Sequence, residues 1–372
     1  MPIKFKSYLQ HKSTYKGGKS LSEIDTNGKK IFKLSSNENQ LGPSPKAVEA
    51  IKKYIDTLSL YPDNSDERLR TALEQYYDGQ LTSDQFLTTN SGVANIELII
   101  RAFMDEGDEC IFSNPAFGPY HEFPKKIGAS SIDIPLVGEN FLLDVDGILN
   151  AIHENTRLVF VTSPNNPTGT HIPKHQIDAL IEGLPDHVIL VFDEVYFQFA
   201  DADDYVRPLP YVLEGKNVIG INSLSKAYGL AGLRVGYSYS TVEIATYLRQ
   251  LRIPFMISSL SMEGAMAALE DDEHINSTVE MVHREKQFLY EQFDAMGITY
   301  WKTQANFILV QPDLDPIEFE QRMVNEGVMV RPVAGFGAPK CVRITIGTRE
   351  GNEALITAWK KLFPSKTLES IN

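Results

Sequence analysis

Six short apolar runs, at residues 85–89, 109–112, 158–162, 188–192, 218–222 and 234–239, alternate with helical periodicity through the first two-thirds of the chain. Near-continuous apolar strands joined by helix-length crossovers require a mostly parallel sheet with helices on both faces. The helical stretches carry their own start and stop signals. Ser44 followed by Pro45 opens one, with Ala47, Val48, Ile51 and Ile55 expected on one face. A second covers 66–77 and stops at Gly79; a third follows Gly92 and carries Ile96, Ile99, Ile100 and Phe103. Together these predict a large α/β lobe over 42–255.

Beyond Pro254 the pattern changes. A long helix over 279–296 ends at Gly297, followed by a strand at 306–310, a helix from Pro316, strands at 328–331 and 342–346, and a last helix over 350–362. This predicts a smaller α+β lobe over 256–372. Residues 1–41 open with a polar stretch and form an arm expected to pack on the small lobe or on a partner subunit.

A length of 372 residues accommodates both lobes, and 42 % hydrophobic with 23 % charged residues is the balance of a globular chain. The net charge of −14 disfavours nucleic acid and anionic membrane surfaces as partners. No apolar stretch approaches the roughly 18 residues that span a bilayer. Two cysteines, Cys110 and Cys341, make neither a disulfide framework nor a thiolate metal site, which predicts a reduced, cytoplasmic chain.

Four segments carry candidate chemistry. In Ser223-Leu224-Ser225-Lys226-Ala227-Tyr228-Gly229-Leu230-Ala231-Gly232-Leu233-Arg234, a lysine sits between two hydroxyls and ahead of an arginine, just after a predicted strand. Ligands bind at that edge of an open α/β sheet. Hydroxyls and a guanidinium suit a phosphate, and a lysine beside it can condense with an aldehyde cofactor. A lysine taken alone is more often simply solvated. Asp193 ends the apolar run 188–192; such a carboxylate either faces a cationic partner such as a pyridinium nitrogen or caps the next helix. Ser163-Pro164-Asn165-Asn166-Pro167-Thr168-Gly169 is a sharp turn that either aims an asparagine amide at the sheet edge or serves only as a turn. Thr89-Asn90-Ser91-Gly92-Val93 joins strand to helix and offers free N–H groups to a phosphate.

In their order along the chain these segments resemble the fold-type I pyridoxal-phosphate-dependent aminotransferases. Within them the chain is similar to the histidinol-phosphate aminotransferases over nearly its whole length. The resemblance rests on LSSNENQLGPSPKA, SLYPDNSDERLRTAL, SPNNPTGT, VFDEVYFQFA, SLSKAYGLAGLRVGY, GVMVRPVAGFG and VRITIGTREGNEAL. The chain departs from the family's pattern at Val93-Ala94-Asn95, where an acidic pair is usual, and at Gln40-Leu41.

The resemblance implies a set of roles around pyridoxal 5′-phosphate. Lys226 binds the cofactor and then carries a proton between the substrate's Cα and the cofactor's C4′, and Asp193 pairs with the ring nitrogen. Tyr196 and Asn166 hydrogen-bond the ring's 3-oxygen, and Phe117 stacks on the ring. Gly92, Val93, Ser223, Ser225 and Arg234 hold the cofactor phosphate, with Tyr61 reaching the site of a neighbouring copy in a homodimer. Phe117 and Tyr61 taken singly read more often as core or surface aromatics. Arg343, in an alternating strand, and Arg331 fall to the substrate phosphate, Arg331 having a surface or interlobe salt bridge as its alternative.

The implied reaction is transamination of L-histidinol phosphate with 2-oxoglutarate, giving imidazole acetol phosphate and glutamate in histidine biosynthesis. A phosphorylated substrate and a 2-oxo acid are then the small-molecule partners, and no metal is required. The alternatives are an aromatic or broad-specificity amino-acid aminotransferase and, further off, a phosphoamino-acid decarboxylase on the same fold. A nicotinamide dehydrogenase is disfavoured because no G-x-G-x-x-G turn follows an early strand.

Overall fold

The structure, a computed structural model, describes residues 3–10, 17–23 and 28–364. Its strands are β1 (Phe32–Lys33), β2 (Phe86–Thr89), β3 (Glu109–Phe112), β4 (Ser130–Asp133), β5 (Thr156–Thr162), β6 (Ile189–Asp193), β7 (Val218–Ser223), β8 (Gly236–Tyr239), β9 (Thr299–Tyr300), β10 (Phe307–Gln311), β11 (Val328–Met329), β12 (Arg331–Pro332) and β13 (Val342–Thr345). Seven of them form one sheet in the order β2-β8-β7-β6-β5-β3-β4. Only β8 runs against the rest.

Alternation along the strands puts side chains into two cores. Val159, Val161, Leu190, Phe192 and Val218 belong to one. Leu158, Phe160, Ile189, Val191, Ile219 and Ile221 belong to the other. A sheet covered on both faces cannot show polar alternation, which is why these strands read as continuous apolar runs. The edge strand β4, of sequence SSID, has no such run and escapes sequence reading.

Helix signals act as expected, with two corrections: Ile55, and the long helix, which starts at Asp272 and not at residue 279. The Ser44 hydroxyl accepts from the Ala47 N–H at 3.1 Å and Pro45 starts the helix Pro45–Tyr54. Ile55 lies beyond its end and is 49 % exposed, so it does not join the face of buried Ala47. The third helix, Gly92–Phe103, is capped by Ser91. The long helix is Asp272–Met296, and Gly297 closes it in the left-handed conformation at φ 65°.

A second sheet, β12-β13-β10-β9, is antiparallel throughout, and β1 pairs in parallel with β11. The single strand expected at 328–331 is therefore two, because the backbone changes sheets at Val330. Leu34, Phe307, Ile344, Leu355 and Trp359 share the core of this part. The helix Ser259–Leu269 sends Met262, Ala265, Ala268 and Leu269 into a core of the large sheet. We therefore propose that the large lobe runs on through Leu269, beyond the 255/256 division expected from the sequence.

Of the expected arm, residues 1–2, 11–16 and 24–27 lie outside the described residues. Described parts of it contact the small lobe: Lys19 pairs with Glu320 at 3.0 Å and Lys29 donates to the Asn325 carbonyl at 2.7 Å.

Candidate active site

The carboxyl ends of β2, β3, β5, β6 and β7 lie on one edge of the large sheet. Because β8 is antiparallel, its start lies there too: Gly236 is in register with both Thr89 and Ser223. Functional candidates spread over about 140 residues of sequence thus meet at one edge, with the small sheet on the far side. Between them is a cavity of about 470 Å³. Twelve of the thirteen residues singled out from sequence line it: Gly92, Val93, Phe117, Asn166, Asp193, Tyr196, Ser223, Ser225, Lys226, Arg234, Arg331 and Arg343. Tyr61 does not; it is 85 % exposed and its ring packs 5.1 Å from that of Phe255.

Lys226 is half-buried at the cavity wall, and its Nζ lies 3.5 Å from the Ser36 carbonyl oxygen. Burial first, and then the positive charge of Arg343, lowers its ammonium to about 8. Such an amine is far closer to its nucleophilic neutral form than a solvated lysine. On the neighbouring strand end, burial raises the Asp193 carboxyl to about 6, opposed by hydrogen bonds from Tyr120 and the Val195 N–H. Tyr120 donates to Oδ2 at 2.7 Å, and Val195 N donates to Oδ1 at 3.2 Å. Asp193 caps no helix; it faces the cavity.

The next residue points the other way. Glu194 is fully buried on the opposite face and takes Nε of Arg207 at 2.7 Å and its terminal nitrogen at 2.8 Å, with the Tyr239 hydroxyl at 2.8 Å. Period-two geometry separates the adjacent carboxylates, one to the cavity and one to a buried ion pair.

At one end of the cavity are the first turn of Gly92–Phe103, Ser223, Ser225 and Arg234. The Ser223 and Ser225 hydroxyls are 2.8 Å apart. Arg234 holds φ 56°, a left-handed conformation rare for a side chain of this size. Its guanidinium donates to the Ala231 carbonyl at 2.9 Å. Here the backbones approach closely: a Cβ on Gly236 would stand 2.3 Å from the Gly92 nitrogen. Hydroxyls, a helix N-terminus and a guanidinium form a cradle of phosphate chemistry.

At the other end, Arg331 and Arg343 are direct cross-strand partners on β12 and β13. Directly opposed residues share a sheet face. Arg343 is buried; it donates to Asn166 Oδ1 at 2.5 Å and to the Ser35 carbonyl at 3.0 Å. Because Oδ1 of Asn166 serves the arginine, its amide N–H₂ is the end left for a ligand oxygen. Arg331 donates to the Gly17 carbonyl at 2.9 Å, and its guanidinium lies 5.9 Å from the Phe336 ring centroid.

Sequence reasoning missed Tyr120, Thr162, Asn37 and Glu38, which also line the cavity. Asn37 and Glu38 lay within LSSNENQLGPSPKA, one of the phrases that carry the resemblance; Tyr120 offered no local signal.

Residues 29–358 match the model of the family described as aminotransferase class I and II. The chain belongs to that family. The chain is 40 % identical over 353 residues to a histidinol-phosphate aminotransferase of Akkermansia muciniphila, covering 94 % of this chain and 96 % of the relative. It is 36 % identical to one of Moorella thermoacetica, covering 94 % and 90 %. Among solved structures it is similar to histidinol-phosphate aminotransferase from Sinorhizobium meliloti in complex with pyridoxal-5′-phosphate, with a TM-score of 0.83, 24 % identity and coverage of 97 % and 98 %. The fold is that of the fold-type I pyridoxal-phosphate enzymes. Pyridoxal phosphate is the cofactor of this aminotransferase, and the cavity suits it: a half-buried lysine of lowered basicity, a buried carboxylate and a phosphate cradle face one space.

Proposed function

We propose that this aminotransferase moves the amino group of L-histidinol phosphate to 2-oxoglutarate, yielding imidazole acetol phosphate and L-glutamate in histidine biosynthesis. The observation that carries the choice of substrate is the Arg331–Arg343 cross-strand pair on the cavity face of the small sheet. Two guanidinium groups side by side on a cavity wall offer paired, charge-assisted donors, the chemistry that recognises a phosphate dianion.

In this reading the bound cofactor supplies an electron sink that acidifies the amine-bearing carbon of the substrate. Lys226 would hold the cofactor through its aldehyde carbon and would carry the proton to and from the substrate's Cα. Asp193 would hold the proton of the ring nitrogen. Tyr196 and Asn166 would donate to the ring oxygen, and Phe117 would pack against the ring. The Gly92 and Val93 N–H groups, Ser223, Ser225 and Arg234 bind the cofactor phosphate.

Tyr61 acts in a second copy of the chain. In support of a homodimer, Ile55, Leu58, Leu60, Tyr61, Ile253 and Phe255 are large apolar residues left exposed on one protomer. We also place the enzyme in the cytoplasm: both cysteines are free and buried, and no helix among the described residues is long and apolar enough to cross a membrane.

The test is turnover by the purified protein loaded with pyridoxal phosphate. A higher kcat/KM for L-histidinol phosphate than for L-phenylalanine is expected; the reverse order makes the enzyme an aromatic aminotransferase. Release of CO₂ without glutamate makes it a decarboxylase.

A further inference from the structure

Residues 35–37 touch three site residues in succession. The Ser35 carbonyl accepts from Arg343 at 3.0 Å, the Ser36 carbonyl lies 3.5 Å from Lys226 Nζ, and the Asn37 side-chain amide donates to the Tyr196 hydroxyl at 3.0 Å. Asn37 is buried and sits at φ 55°. Asparagine is among the few residues other than glycine that tolerate this conformation.

The amide's orientation follows from its neighbours. The Asn37 N–H donates to Thr345 Oγ1 at 2.9 Å, and that hydroxyl has its own proton to give, with Asn37 Oδ1 at 3.5 Å. Asn306 Nδ2 donates to the Asn37 backbone carbonyl at 3.2 Å and so fixes the main chain at this residue. The oxygen end of the Asn37 amide therefore faces Thr345 and the N–H₂ end faces Tyr196.

A phenol has one proton to donate. We propose that Asn37 is a positioning residue: by donating to the Tyr196 oxygen it prevents that hydroxyl from spending its proton on the protein and commits it to the cofactor's ring oxygen. The inference rests on the reading that Tyr196 contacts that oxygen. It also gives the small sheet a direct hold on the cofactor, since Thr345 lies on β13 while Tyr196 follows β6. The charged groups facing the phenol are Lys226, with Nζ 5.5 Å from the ring centroid, Arg343 and Asp193. Asn37 is neutral, so its removal changes hydrogen-bond direction without changing the site's charge.

The experiment is a pH titration of the visible absorbance of the holoenzyme for the wild type, Asn37→Gly, Tyr196→Phe and the double variant. Glycine keeps the φ 55° backbone available, so the amide is deleted without strain. A proton donated to the ring oxygen stabilises its charged form, so losing it raises the titration midpoint. Asn37→Gly is expected to raise it by roughly half to one pH unit. Tyr196→Phe is expected to raise it by more, and the double variant to match Tyr196→Phe. An unchanged midpoint in Asn37→Gly, or an equal shift on adding it to Tyr196→Phe, overturns the role of Asn37. If Tyr196→Phe itself leaves the midpoint in place, the assignment of Tyr196 to the ring oxygen falls, and the role of Asn37 with it.

Discussion

Tyr120 donates to Asp193 at 2.7 Å, and its oxygen receives the Thr162 hydroxyl at 2.9 Å. This relay holds a carboxylate that burial alone would drive toward its neutral form. Asp193 is raised to about 6 in spite of it, above its value in the unfolded chain. Its contribution to stability is therefore complete below pH ~4 and is lost as pH rises through about 6. Removing the donor with Tyr120→Phe should raise that carboxyl by a further pH unit or so and weaken cofactor binding about five- to tenfold. Apoprotein melting curves against pH, with Asp193→Asn as the reference that lacks the titration, check the first; cofactor titration checks the second.

Lys226 is lowered to about 8 by burial first and by the charge of Arg343 second. The rate at which apoprotein captures added pyridoxal phosphate should rise with pH through a midpoint near 8, and Arg343→Met should move that midpoint upward. Stopped-flow absorbance reads both. A midpoint near that of a free lysine would contradict the burial of the amine.

Gly236 is needed for close approach. Its added Cβ would meet the Gly92 nitrogen at 2.3 Å and the Ser91 carbonyl carbon at 2.4 Å, both backbone atoms with no rotamer to yield. Gly236→Ala should destabilise the fold by about 1–3 kcal/mol or more. It should also displace the Gly92 helix start and so raise the Kd for cofactor, measured by fluorescence titration alongside denaturant unfolding.

Arg207 neutralises a fully buried charge on Glu194. Arg207→Ala leaves that carboxylate without its ion-pair partner, and a loss of about 3–5 kcal/mol in urea unfolding is expected. Surface-pair variants such as Lys53→Ala, which breaks an exposed contact to Glu49, should leave the urea midpoint unchanged.

Much of this site was legible before any coordinates, because its parts are local. A strand, a turn and a helix start leave their marks within a dozen residues, and Lys226, Asp193, Asn166 and Gly92 each sit at such a junction. Ile55 and the 328–331 segment misled for the same reason in reverse: periodicity says which residues share a face but not where a neighbouring element ends the run. Tyr120 and Asn37 carry no local mark, since their importance lies in partners 73 and 159 residues away.

The sequence alone determined the class of fold and singled out Lys226, Asp193 and the Gly92 turn at the strand ends of one sheet edge, since side-chain period and turn chemistry are properties of neighbouring residues. Tertiary structure alone decided which polar groups face one another. It set Arg331 beside Arg343, turned Glu194 away from the cavity that Asp193 enters, and aimed the Asn37 amide at Tyr196. Such pairings depend on strand order and on the seating of one lobe against the other, and these arise only when the separate apolar faces are buried together.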